Sequence, residues 1–316
     1  MTAYATLALH CMSPLSVGAG RGAGGIDLPI QRERATGFPL IPGSGVKGVL
    51  RDAVRSKLTA GDHKRAVAAN NEARVVALFG PTVDGDDDRL GLGALSIGDA
   101  QLILFPIRSL AGLFVYATCP AALARVRRIQ AVGGASLLPG IEVDKGKVAL
   151  ADNQHCAKAE EVVLEDSAFA LDRLHRDAVE AIAKALHPIL FATGPLAVDL
   201  KDFTKRFAIL NDEDFAWYAQ HATQVETRIA LDPATKTVKK GALFTQESVP
   251  PEAVLISLVA AEAPRVKEGG PAGITTDAAA MAALQVDLPP ILQVGSDATV
   301  GKGLCATRLL PLSGKV

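Results

Sequence analysis

The chain has 316 residues, 49% hydrophobic and 21% charged, a balance that excludes a disordered chain and supplies enough apolar material for a large core. Its 33 Lys and Arg against 34 Asp and Glu leave a formal net charge of −1, which at first sight argues against a nucleic-acid partner. Aromatics at 4% also leave little for a base-stacking platform, and the length allows one large domain with insertions or two small ones.

Ala3 to Met12 is apolar with Tyr4 and Thr6 among its strand formers, and Ser13-Pro14 ends it, so the chain opens on a β-strand. From Ser13 to Gly45 follow eight glycines and four prolines without helical period, a loop of about thirty residues, and loops that long are functional or disordered. Ser44 has the chemistry of a helix N-cap, and Val46, Val49, Leu50, Val54 and Leu58 then share one face, which predicts a helix from about Gly45 to Leu58. Lys47, Arg51 and Arg55 recur every four residues on another face of it. A second helix is expected from Arg65 to Leu78 with Gly80 after it, followed by a solvated turn at Asp84 to Asp88. Strands are expected at Leu92–Ile97, Ala100–Ile107 and Leu113–Thr118, and Pro120 opens a helix through Ile129. From about Leu138 to Lys240 the pattern breaks into short pieces, with helices at Arg176–Leu186 and Asp212–His221. Arg228–Leu231 and Val238–Phe244 flank the turn chemistry of Asp232-Pro-Ala-Thr-Lys and read as a β-hairpin. A strand at Ala253–Ala261, a helix around Thr276–Leu284 and strands at Ile291–Gly295 and Leu304–Leu310 close the chain. This is an α+β order, compatible with a ferredoxin-like βαββαβ core carrying large insertions.

Cys11, Cys119, Cys156 and Cys305 form no CxxC pair, and the six histidines form no HxxxH or HExxH, so neither a disulfide scaffold nor a preformed all-protein metal site is expected. No apolar run reaches the roughly 18 residues that span a bilayer, and no basic leader precedes the first strand; the chain reads as soluble and cytoplasmic. Gly20, Gly22 and Gly25 spell GxGxxG after a strand, but Ile26-Asp-Leu-Pro-Ile cannot start the helix a dinucleotide turn requires. Gly45-Val-Lys-Gly likewise lacks the ending of a phosphate loop.

Charge is uneven along the chain. Residues 1–65 carry nine Lys and Arg against four Asp and Glu, and the remaining 251 residues carry 24 against 30. Basic groups beside glycine-rich backbone at a helix start suit a phosphate, although a solvated helix face accounts for the charge equally well. Asp27 is a carboxylate in an otherwise cationic loop with Arg21, Arg32 and Arg34; it can form a turn, pair with an arginine, or hold a metal against a phosphate, and the turn role is the commonest for such a residue.

Ser13-Pro-Leu-Ser-Val-Gly-Ala-Gly, Gly25-Ile-Asp-Leu-Pro-Ile-Gln-Arg-Glu and Gly37-Phe-Pro-Leu-Ile-Pro-Gly-Ser-Gly-Val-Lys-Gly-Val-Leu-Arg occur in that order. Leu78-Phe-Gly, Gly98-Asp-Ala, Phe105-Pro-Ile-Arg-Ser-Leu, Tyr116-Ala-Thr-Cys-Pro and Val294-Gly-Ser-Asp-Ala-Thr-Val-Gly-Lys-Gly-Leu follow. Together they resemble the repeat-associated mysterious protein (RAMP) superfamily, and within it the backbone subunit of the type III-B (Cmr) CRISPR effector complex. The likeness spans about residues 4–305 and is thin over about 130–225.

The resemblance implies one domain: an RRM-like palm at about 1–12, 44–120 and 250–316, an insertion (fingers) at about 121–225, and a thumb hairpin at about 226–250. It implies copies assembled in a helical filament along a guide crRNA, with other type III effector subunits, that pairs with single-stranded target RNA and cuts it at regular intervals. By motif position Asp27 matches the family's catalytic aspartate and would hold Mg²⁺ or another divalent cation, with Glu247 as a helper. Arg21, Arg32, the Gly43-Ser44-Gly45 turn, Lys47, Arg51, Arg108, Gly301 and Lys302 are the expected RNA contacts. Two departures stand out: Ser16 occupies a position where many relatives have His, and Gln246-Glu247-Ser248 lacks an aromatic hydroxyl. They keep open a scaffold that binds RNA without cutting it. His10, inside the first strand, reads as a packed or edge histidine.

Overall fold

The apolar opening run is buried on both sides, which is why it shows no alternation: Ala5, Leu7, Leu9 and Cys11 enter one core cluster, and Ala8 enters another. The computed structural model describes residues 2–22, 24–60, 62, 69, 72–81, 91–134, 138–152, 160–266 and 273–312. In chain order its elements are β1 (Ala3–Cys11), β2 (Leu40–Ile41), α1 (Gly43–Leu58), α2 (Ala73–Phe79), β3 (Gly91–Leu92), β4 (Leu95–Ile97), β5 (Ala100–Ser109), β6 (Leu113–Thr118), α3 (Pro120–Val132) and β7 (Lys147–Leu150). They continue with β8 (Glu161–Leu164), β9 (Ser167–Asp172), α4 (Arg176–Leu190), α5 (Leu200–Arg206), β10 (Phe207–Leu210), α6 (Asp212–His221), β11 (Gln224–Leu231) and β12 (Val238–Ser248). The last are β13 (Val254–Ala261), β14 (Arg265–Val266), α7 (Asp277–Asp287), β15 (Ile291–Gln293) and β16 (Leu304–Pro311). The class is mixed α+β, as the order of elements predicts.

Four of these strands lie side by side in the order β16-β1-β13-β5, each pair antiparallel. Val46, Leu50 and Val54 of α1 and Ala280 and Leu284 of α7 pack in the cluster that holds the odd residues of β1. Val179, Ile182, Ala183 and Leu186 of α4 pack with Ala8, Val254 and Ile256 in the other. Helices therefore cover both faces of this sheet, and hydrophobic burial there supplies the main stabilisation.

The stretch expected to be broken pieces builds a second feature. β7, β8, β9 and β10 join β5 and β6 in the order β5-β6-β10-β7-β9-β8, and the Ser109–Leu164 pairing returns the path to β5, giving a barrel-like closure. β7, β8 and β10 have four residues each, too few for an alternation to show in the sequence. Phe215 and Tyr218 of α6 pack with this ring, and Tyr218 donates its hydroxyl to the Leu164 carbonyl at 2.9 Å.

Several boundaries move. α1 starts at Gly43 after Pro42, and the Asp99 carboxylate, not Ser44, accepts the Gly43 N–H at 2.7 Å. The second helix is described only as Ala73–Phe79; residues 65–71 and the acidic turn at 84–88 fall largely or wholly outside the described residues. The strand expected at Leu92–Ile97 is split into β3 and β4, because Ala94 leaves the ladder to give its N–H to the Ala77 carbonyl. α4 runs past Leu186 to Leu190, through Pro188, where Ile189 and Leu190 are buried. The hairpin is longer than expected, pairing Gln224 with Ser248 at its root. Cys11, Cys119 and Cys305 are buried free thiols, and Cys156 lies outside the described residues. No helix among the described residues is long and apolar enough to cross a membrane.

Replacing Leu7, which is 0% exposed, with Ala is expected to cost about 2–5 kcal/mol, because the surrounding strands cannot close the cavity. Leu174→Ala, at a position 91% exposed, is expected to stay within about 0.5 kcal/mol; thermal melts of the two variants make the comparison.

Candidate functional site

The glycine-rich loop is folded against the hairpin root. Isolated bridges join Leu15 to Val249, Gly18 to Ile30, Leu28 to Gln246 and Arg32 to Pro39. At the tip, Gly22 donates to the Asp27 carbonyl at 3.0 Å, and a side chain at Gly22 would collide with the Ile26 carbonyl and the Pro29 ring, so this turn requires glycine. Leu28 donates to the Thr245 carbonyl and Glu247 donates back to the Leu28 carbonyl, both at 3.0 Å, so the loop adds a short parallel strand to β12.

Asp27 stands exposed at this edge, held by one residue. Its Oδ2 accepts the Thr245 N–H at 2.8 Å and the Thr245 hydroxyl at 3.0 Å, and its own N–H donates to Thr245 Oγ1 at 3.0 Å. The Thr245 N–H and hydroxyl hold the carboxyl below the usual carboxylate range, and the Arg21 guanidinium adds to the effect. A groove of about 380 Å³ opens beside it, lined by Arg21, Gly22, Asp27, Leu28, Leu243 and Phe244.

Glu247 and Arg32 have other duties. Glu247 is 3% exposed, accepts the Ile30 N–H at 3.0 Å, the Thr223 hydroxyl at 2.6 Å and Arg32 at 2.5 Å. Arg32 also donates to the Gly37, Ala219 and Gln220 carbonyls. Arg32, expected among the RNA contacts, is engaged with these groups inside the protein, and Glu247, expected as a helper, is buried and anchors the loop from within. Arg125 is likewise turned inward, onto Glu33 at 2.6 Å. His10 is buried as expected, 2.9 Å from the Glu252 carboxylate.

A second clasp holds the C-terminal glycine loop. Arg228 meets Asp297 Oδ1 at 2.8 Å, and Gln246 Nε2 donates to Asp297 Oδ2 at 2.6 Å and to Ser16 Oγ at 3.1 Å. Arg228, then Gln246, hold Asp297 below its ordinary range. Lys302 is buried and pairs with Glu226 at 2.7 Å, so its charge is matched from the hairpin root, while Gly301 beside it is exposed at φ +79°. Ser16, at the position where His was noted as absent, is buried and donates to the Glu247 carbonyl at 3.0 Å. None of Thr245, Gln246, Arg228 and Asp297 was singled out for these contacts from the sequence; the alternation of β12, which puts Thr245 and Glu247 on one face, is the signal that points to Thr245.

The start of α1 presents the third group. Ser44 and Gly45 are exposed, whereas Gly43 is buried against the backbone of Ile97 and Gly98. Lys47 donates to the Leu95 carbonyl and Arg51 to the Gly80 carbonyl, and Arg51 Nε is buried without a partner among the described residues. Burial lowers both cations from their ordinary ranges, with Arg51 adding to the effect on Lys47 and Arg55 to that on Arg51. Among the described residues neither cation meets an acid, so the pair carries positive charge that an anion would relieve. Arg108 stands apart: it is exposed near the far end of β5, paired with Glu165 at 3.1 Å, about 26 Å along the strand from Ala100.

A model of the RAMP superfamily matches residues 8–306. The chain belongs to this family. The RAMP chain is 30% identical over 313 residues to the CRISPR system Cmr endoribonuclease Cmr4 of Pyrococcus furiosus, covering 98% of this chain and 96% of that one. It superposes on the crystal structure of oligomeric Cmr4 from Pyrococcus furiosus with TM-score 0.68 at 25% identity, covering 98% of each chain. It also matches a chain of the type III-B Cmr-beta complex bound to cognate target RNA, solved by cryo-EM, with TM-score 0.65 at 18% identity over 97% of this chain and 96% of that one, a likeness of fold.

The described residues lining the groove offer a divalent cation one carboxylate, Asp27, and no group of three or more His, Cys, Asp or Glu gathers among the described residues. One oxygen of Asp27 is taken by Thr245, leaving a donor set that fits a magnesium-like ion holding mostly water and phosphate oxygens.

Arg32→Met is expected to strip Glu247 of its buried partner and cost about 3 kcal/mol, read as a lower denaturation midpoint. The same variant is expected to bind RNA with unchanged dependence on salt, which a contact to phosphate would not allow.

Proposed function

We propose that this chain is the repeating backbone subunit of a type III-B CRISPR ribonucleoprotein in the cytoplasm, that it grips a guide crRNA, and that it cuts the complementary target RNA at regular intervals. The observation that carries the reading is Asp27, an ionised carboxylate fixed at the open edge of a groove, at the root of a hairpin with an apolar surface. The name of the Pyrococcus furiosus relative, an endoribonuclease of a Cmr system, supports it. In this reading β16-β1-β13-β5 with α1 and α7 is a ferredoxin-like, RRM-like palm, residues 121–225 are the fingers, and β11–β12 is the thumb. Partners are the guide, the single-stranded target, further copies of the chain and other type III subunits.

The thumb is suited to displacing a base. Val225, Ile229, Leu231, Val238 and Leu243 are each about half exposed or more, so an apolar ribbon stands ready to cover an unstacked nucleotide. A displaced nucleotide lets the ribose 2′-OH align with its own phosphate, and such positioning supplies much of the rate. Asp27, held as an anion, is a weak Brønsted base at neutral pH but a persistent hydrogen-bond acceptor, fit to orient that hydroxyl. Attack by the hydroxyl expels the 5′ oxygen and leaves a 2′,3′-cyclic phosphate and a 5′-hydroxyl. A divalent cation, when bound by Asp27, supplies charge neutralisation at the phosphate. Lys47 and Arg51, with the exposed Ser44-Gly45 turn, Gly301 and Arg21, would hold phosphates, and base pairing supplies the choice of sequence. Lys302 joins them only where a phosphate displaces Glu226.

The second reading, a scaffold that binds RNA without cutting it, rests on Ser16, which provides no imidazole and is committed to the Glu247 carbonyl.

In the assembled complex with matched target and Mg²⁺, Asp27→Ala is expected to lower cleavage by about 10²–10⁴-fold with target binding retained; an intact target with the unaltered chain selects the scaffold. Changing Lys47 and Arg51 together to Met is expected to weaken guide binding and to flatten its log–log salt slope by about 1.4, as two lost phosphate contacts require.

A further inference from the structure

We infer that Thr245 is the positioning residue of the cut: its hydroxyl and N–H together set where the Asp27 carboxylate points. The inference rests on the reading of Asp27 as the catalytic group.

Thr245 is bound to Asp27 three ways. The peptide N–H and the hydroxyl both donate to Oδ2, and the hydroxyl oxygen accepts the Asp27 N–H, so one side chain fixes the acid's backbone and its carboxylate at once. Both donors reach the same oxygen, which ties Oδ2 to β12 and leaves Oδ1 without a donor among the described residues, in a carboxylate that lines the groove. Nothing else in the described structure donates a hydrogen bond to this carboxylate. Arg21 is the one other charged group among the described lining residues of the groove; Gly22, Leu28, Leu243 and Phe244 complete it.

Threonine suits this place. Its β-branched side chain is stiff about χ1, so an oxygen placed by the strand stays placed. The strand is itself fixed on either side: Thr227 faces Thr245 across the hairpin, and Glu247, two residues on, is locked by Arg32, Thr223 and the Ile30 N–H. A hairpin that moved against a displaced nucleotide would therefore carry Asp27 with it.

The test uses the assembled complex with matched target under single-turnover conditions. Thr245→Val keeps the shape and β-branching but loses the hydroxyl; Thr245→Ser keeps the oxygen. Thr245→Val is expected to cut about 10-fold slower or worse with unchanged target affinity. Thr245→Ser, which keeps the oxygen, is expected to restore cutting to within about threefold of the unaltered chain. If Thr245→Val does not assemble with guide, Thr245→Ala and Thr245→Ser make the same comparison. A Thr245→Val complex that cuts at the original rate, or a Thr245→Ser complex that cuts as slowly as Thr245→Val, while Asp27→Ala is inactive, overturns the positioning role alone. Cutting by Asp27→Ala at the original rate overturns the reading beneath it as well.

Discussion

The buried pair of Glu247 and Arg32 is the contact on which the site depends. Glu247 is nearly inaccessible, and its charge is matched by a guanidinium whose remaining donors satisfy three backbone carbonyls. A carboxylate so placed is costly unless all its lone pairs are used, and here they are shared among Arg32, Thr223 and the Ile30 N–H. The consequence is geometric: a loop of some thirty residues, rich in glycine and free to wander by itself, is tied at its middle to the return strand of the hairpin. Asp27 lies three residues before Ile30 and inherits that order.

Around this tie the charges divide into two kinds. Arg32, Arg125, Arg228 and Lys302 are paired with Glu247, Glu33, Asp297 and Glu226, and so are spent on holding loops to the hairpin root and to α3. Lys47 and Arg51 are half-buried beside one another with only carbonyl partners among the described residues, and burial lowers both. A chain with a net charge of −1 thus presents two neighbouring cations at one helix that meet no acid among the described residues, while four of its other cations are paired inside the fold. The overall charge is a sum over surfaces that face different things.

How much of this was legible depended on the range of the interaction. The apolar spacing of Val46, Leu50 and Val54 placed α1, and the acidic first turn placed α6, because those signals lie within one element. The turn chemistry of Asp232 placed the hairpin, where its Oδ1 accepts the Ala234 and Thr235 N–H groups. The four-residue strands of the ring carried too few residues for a period, and the split between β3 and β4 follows from a contact with α2 that no local pattern contains. Among the candidate site residues, Asp27 was singled out from its motif, but the Thr245 contacts that hold it were not. That Arg32 and Lys302 meet Glu247 and Glu226 was not legible, because a basic residue in a glycine-rich loop looks the same whether it faces a phosphate or a distant glutamate.

By itself the sequence determined the α+β order, the extended opening strand, the hairpin, the family motifs and a lone acid in a cationic loop. Each follows from propensity, spacing or composition within a few dozen residues. Tertiary structure alone decided the partners: that Asp27 is held by Thr245, 218 positions away, that Glu247 is buried, and that four short strands close a ring on β5. The physical reason is that a side chain's chemistry is local, but its burial and its counter-charge depend on which strand edge folding lays beside it.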